Sequence, residues 1–163
     1  MKKVLLTMVM CAALAGCAKA PVMETIADEL VPAEPAAARQ VTLELPPEAA
    51  SPVWETEEGI CYRWEDCDIL LQTLPAGNLD ATVRQISGYS PEQLTVVKSA
   101  PSDARRYDLV WSSMGQEGEM VGRAAVLDDG NYHYVLTVLS PAESVQNREE
   151  IWETLFQSFA LAP

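Results

Sequence analysis

The sequence predicts an α+β domain in which an antiparallel β-sheet is packed by helices. Two observations predict it. From Leu94 to Ser140 the chain consists of extended segments broken by turn-forming residues, the pattern of a meander. Two other stretches switch to helical spacing: Leu79, Val83 and Ile86, then Ile151, Trp152, Leu155, Phe156 and Phe159.

The elements follow in order. "VTLELP" (41–46) sets Val41, Leu43 and Leu45 against Thr42 and Glu44, a period-two strand closed by Pro46-Pro47. Residues 47–53 read as a polar turn, after which "VWETEEGICYRW" leads into a strand centred on Ile60–Trp64. "CDILLQTLP" (67–75) is its partner in a hairpin, with Glu65-Asp66 near the turn. "GNLDATVRQISGY" is helical, with Asn78 placed to cap its start and Gly88 to end it. Extended chain returns at Leu94–Lys98 and again at Arg106–Met114, where Tyr107, Leu109 and Trp111 share a face. "EMVGRAAVL", "DDGN" and "YHYVLTVLS" form the clearest hairpin, Asp129-Gly130 suiting a tight turn. The last helix begins at a capping-box-like Asn147 and Glu150, and its apolar stripe carries both phenylalanines. Two helices suffice to cover one face of such a sheet.

Before this domain the chain has a different character. Lys2 and Lys3 precede twelve uncharged residues, Val4–Ala15. Such a run is too short to span a bilayer, which takes about 20 apolar residues. A basic start and a short apolar core describe an export signal. Leu14-Ala15-Gly16-Cys17 resembles the lipobox of bacterial lipoproteins. The resemblance implies cleavage after Gly16 and a diacylglyceryl group on the Cys17 thiol. Residues 1–16 would then be a signal peptide, and Cys11 would leave with it. The alternative is an ordinary export signal cut at Ala18 or Ala20. Residues 17–40 are rich in Ala, Pro and Glu, with at most a helical turn at Glu24–Leu30, and read as a tether. Residues 41–163 are one domain's worth of chain.

Charge narrows the partners. Loss of Lys2 and Lys3 takes the formal charge from −13 to −15. So acidic a chain is unsuited to nucleic acid, whose binding runs on Lys and Arg contacts to phosphate. Anionic headgroups would repel it too, so membrane attachment falls to the lipid on Cys17.

Chemistry-bearing residues are few. Cys61 and Cys67 could hold a metal, but His133 is the only histidine and no further Cys lies at ligand spacing. Five intervening residues do not make a thioredoxin-type pair. A hairpin turning around Trp64 would set the two thiols face to face, and export favours a disulfide between them. Two free thiols are the alternative. Glu55, Glu57, Glu58, Glu65, Asp66 and Asp68 crowd the same hairpin without calcium-loop spacing, and solvated turn charges explain them. "LDDGNYH" (127–133) lacks that spacing as well. His133 should face away from Tyr132 and Tyr134, as a surface or packing residue. No nucleophile elbow or phosphate loop is present, so no enzyme, metal or cofactor is implied. Trp111 and Trp152 fit core positions. Trp54 and Trp64, near turns, are the candidates for an exposed interaction surface, with core or partial burial as the alternative for both.

The order of elements resembles the PsbP-like fold, an α/β/α sandwich found also in small bacterial lipoproteins. The matching stretches are "VTLELP" (41–46), "YHYVLTVLS" (132–140) and "FQSFAL" (156–161). Cystatin-like and NTF2-like sheet-and-helix folds are the alternatives. The resemblance implies no catalytic residues. It implies an accessory or partner-binding module, here lipid-anchored on the extracytoplasmic face of the cell membrane, with an envelope protein as partner. A small-molecule- or metal-binding accessory lipoprotein is the second reading.

Overall fold

The computed structural model describes residues 36–163 apart from 101–103 and 116–117. Cys17, the export signal and nearly all of the tether lie outside the described residues.

The chain folds around one seven-stranded antiparallel sheet. In chain order the elements are β1 (Val41–Thr42), β2 (Pro52–Thr56), β3 (Gly59–Trp64), β4 (Cys67–Pro75), α1 (Leu79–Ser87), β5 (Thr95–Ser99), β6 (Arg105–Met114), β7 (Glu119–Asp128), β8 (Tyr132–Pro141), α2 (Glu149–Ser158) and β9 (Ala160–Leu161). The sheet order is β2-β3-β4-β8-β7-β6-β5, and β1 pairs with β9 in a separate two-stranded ribbon.

Topology decides which helix covers which face. β4 and β5 lie four places apart in the sheet, so α1 between them crosses above β8, β7 and β6. Its Val83 meets Tyr107, Leu109, Trp111, Ala124, Val126 and Val135. α2 packs Trp152, Leu155 and Phe156 on the other face, against Ile69, Leu136, Val138 and Ala125. The ladders confirm two faces: Ile69 pairs with Val138, and Ala125 with Leu136, all on the α2 side. The expectation of both helices on one face is corrected. Each takes one, in the layering that the PsbP-like resemblance implies.

Local chemistry explains the boundaries. The Asn78 side chain accepts from the Asp80 backbone N–H, and Gly88 ends α1 at φ 78° with its N–H donating to the Arg84 carbonyl. Gly130 turns β7 into β8 at φ 93°. Gly122 is required for packing. A methyl group there would lie 2.2 Å from the Trp111 ring, which covers it from the paired position.

Three element readings change. "VTLELP" is a strand only at Val41–Thr42, although Leu43 and Leu45 pack against the core all the same. Residues 52 and 53 belong to a strand, not a turn. α2 starts at Glu149, with Arg148 in the cap position and no side-chain cap.

Candidate interaction surface

Cys61 and Cys67 are free thiols. The expected disulfide is corrected, and the register gives the reason. The hairpin turns on Glu65-Asp66, so Trp64 pairs with Cys67 and Cys61 pairs with Leu70. Cys61 lies three residues from Trp64, on the opposite face of the strand. The two sulfurs therefore sit on opposite sides of the sheet. Burial raises both thiols above their ordinary pKa. Asp68 adds to the effect at Cys61, while Ser140 and Arg148 oppose it at Cys67.

The two candidate tryptophans part company. Trp54 is 44% exposed on the outer strand, beside Val53 at 58%. Trp64 is 7% exposed and belongs to the core under α2. What touches Trp64 is Arg148, whose guanidinium lies 5.1 Å from the ring centroid. Arg148 also donates to Cys67 Sγ at 2.8 Å, to Glu65 Oε2 at 2.5 Å and to Asp66. Ser144 donates to the other Asp66 oxygen at 2.8 Å. Arg148 and Ser144 hold the Asp66 carboxyl below its usual range. This clamp ties the β3–β4 turn to the start of α2. In sequence Arg148 is one more polar residue before a helix, and nothing there points to a partner more than eighty residues away.

His133 is buried beneath α1, not a surface residue. Its Nδ1 lies 2.8 Å from Thr82 Oγ1, and its Nε2 lies 3.9 Å from Asp128 Oδ2. Asp128 is paired with Arg105 at 2.8 Å. The direction of the Thr82–His133 hydrogen bond follows the tautomer of the ring. Burial lowers the His133 pKa, and Arg105 adds to that while Asp128 and Asp129 oppose it. The residue types are those of a hydrolase triad, but Thr82, His133 and Asp128 are all buried. The set fastens α1 to the sheet.

Among the described residues, no three His, Cys, Asp or Glu side chains are grouped to hold a metal ion. No helix among them is long and apolar enough to cross a membrane.

A feature that the sequence did not signal lies at the other edge of the α2 face. α2 leaves β5 and β6 uncovered, so Val97 is 60% and Val110 53% exposed. Between them and the helix runs a concavity of about 330 Å³ lined by Val110, Val121, Arg123, Val145, Glu149 and Trp152.

No protein-family model matches the chain, and no curated protein does. Solved structures do. PsbP from the cyanobacterium Synechocystis is 11% identical, covers 71% of this chain and 78% of its own, and superposes with a TM-score of 0.50. The PA94 protein of Pseudomonas aeruginosa is 13% identical over 76% of this chain and 98% of its own, with a TM-score of 0.48. The Saccharomyces cerevisiae Ran-binding protein Mog1p is 11% identical over 74% of this chain and 89% of its own, with a TM-score of 0.49. At these identities the PsbP likeness shows the fold: α+β, PsbP-like, in place of the cystatin-like and NTF2-like alternatives.

Proposed function

We propose that this protein is a membrane-anchored extracytoplasmic lipoprotein whose folded domain is a non-catalytic partner-binding module. The lipid on Cys17 holds it to the membrane, residues 18–40 set the domain off the bilayer, and the partner is an envelope protein. The observation that carries partner binding is the outer strand β2, all five residues of which are exposed. Val53 and Trp54 offer apolar area on a strand whose outer backbone edge has no neighbour in the sheet. Edge strands of this kind are templates for pairing with another chain, and a partly exposed tryptophan is a common anchor of an interface. The non-catalytic reading is supported by the burial of Thr82, His133 and Asp128 and by the burial of both thiols.

A photo-crosslinking amino acid at Trp54, in the intact cell, tests this reading. It should capture one envelope protein, and the same probe at exposed Gln85 on α1 should not. Equal capture from both positions, or none from Trp54, would contradict it. The second reading, a small-molecule-binding accessory lipoprotein, is favoured by the concavity beside Arg123.

A further inference from the structure

We propose that the groove between α2 and strands β6 and β7 is a binding site for a small amphiphile bearing one carboxylate and an apolar tail. The inference deepens the second reading above and rests on it.

The groove joins two features that a folded chain seldom leaves open. One is an unmatched cation. The Arg123 guanidinium stacks 4.2 Å from the Phe156 ring centroid, and among the described residues it has no hydrogen bond and no ion pair. It is half-buried, and burial, with Arg106 adding to it, destabilises its charge against the opposing pull of Asp108 and Glu153, neither of which is in contact with it. Asp108 is already committed to Arg106, which holds it at 2.9 Å through two nitrogens. A planar guanidinium with free donors is the usual receptor for a carboxylate, bound through two parallel hydrogen bonds. Trp152 lines the same wall, is 4% exposed, and among the described residues its indole N–H has no acceptor.

The other feature is apolar floor. Val110, Val121 and Val145 line the concavity, and exposed Val97 continues it toward the edge of the sheet. Val97 and Val110 lie on the same face, since Thr95 pairs with Val110. About 330 Å³ is at the lower end of small-ligand sites, which suits a short aliphatic chain. Glu149 stands on the rim. It disfavours a second negative charge, so the fit is to a monocarboxylate.

The test is a titration of the full chain with decanoate, decanol and decylammonium below their aggregation limits, followed by the Trp152 indole N–H resonance and by calorimetry. Decanoate should bind at least tenfold more tightly than decanol and shift that resonance, and decylammonium should not bind. Arg123→Met should weaken decanoate at least tenfold, and Glu149→Gln should tighten it. If Arg123→Met fails to fold, Val110→Asp on the exposed lip serves, and it should abolish decanoate binding. Equal affinity for decanol, unchanged affinity in these variants, or no binding would overturn the proposal. So would a concentration-dependent dimer abolished by Val110→Asp, which would assign the face to a second copy of the chain. The groove lies at the opposite edge of the sheet from β2, so its failure leaves the Trp54 crosslinking result to stand or fall alone.

Discussion

The two faces of the sheet carry helices of similar length held by different means. α2 presses three large side chains into a cluster of thirteen buried residues, including Trp64, Tyr134 and Phe159. Its two ends are fastened by arginines. Arg106 donates to the Phe156 and Phe159 carbonyls at 2.9 and 3.2 Å, satisfying groups left open at the helix end, and Arg148 holds the start. α1 brings one well-buried apolar residue, Val83, to a cluster of seven, and a polar pin, Thr82 on His133. The α2 face bears most of the apolar load. The α1 face depends on a titratable ring. The molecule should therefore respond to large-to-small changes on one side and to acid on the other.

The largest expected effect breaks the α2 face. Phe156→Ala should cost about 3–5 kcal/mol, through lost burial and the cavity left behind. Val83→Ala should cost about 2 kcal/mol, the value of two methyl groups and a smaller cavity. Urea midpoints at unchanged slope measure both. Equal losses would erase the asymmetry.

Acid should sharpen it. The His133 pKa is lowered in the folded state, so the unfolded chain takes up the proton first, near pH 6.5. Stability should then fall as pH drops below about 6.5, by at most about 1.4 kcal/mol per pH unit. Asp66 and Asp129 have lowered pKa values as well, but carboxylates of this kind lose their contribution only as pH falls through about 4 and below. Since His133 is the only histidine, His133→Gln should flatten the slope between pH 6.5 and 5 whatever it does to the absolute stability. An unchanged slope would remove the ring from the account.

The smallest effect has the opposite sign. Thr137 is buried on the α1 face and its hydroxyl has no partner among the described residues. Thr137→Val removes that orphaned group and should raise stability by about 1 kcal/mol. A loss instead of a gain in the urea midpoint would mean that the hydroxyl is satisfied by water.

What the sequence disclosed depended on how local the cause was. Asn78 and Gly88 bound α1 because caps act within a few residues, and Asp129-Gly130 marked its turn because glycine takes positive φ cheaply. β2 escaped because both its faces are exposed, so neither alternation nor an apolar run marks it. The β3–β4 turn carries no glycine. Glu65 adopts φ 54° there, and the turn is centred between Glu65 and Asp66 instead of on Trp64, which reverses facial parity, so Cys61 and Cys67 lie on opposite sides and not face to face. Trp64 looked exposed beside its turn because the Arg148 that closes over it comes from far along the chain. Arg123 carried no mark at all. A cation in a strand is read as a solvent residue, and only packing shows that Phe156 covers it.

The proposed attachment through Cys17 is the claim on which the functional account turns. Fractionation and intact-mass analysis of the full chain, expressed in a lipoprotein-making bacterium, test it together. The account predicts membrane-bound protein that begins at Cys17 and carries the added mass of a diacylglyceryl group, with Cys17→Ser released to the soluble fraction. A membrane-bound Cys17→Ser variant, or a wild-type chain without lipid on Cys17, would contradict it.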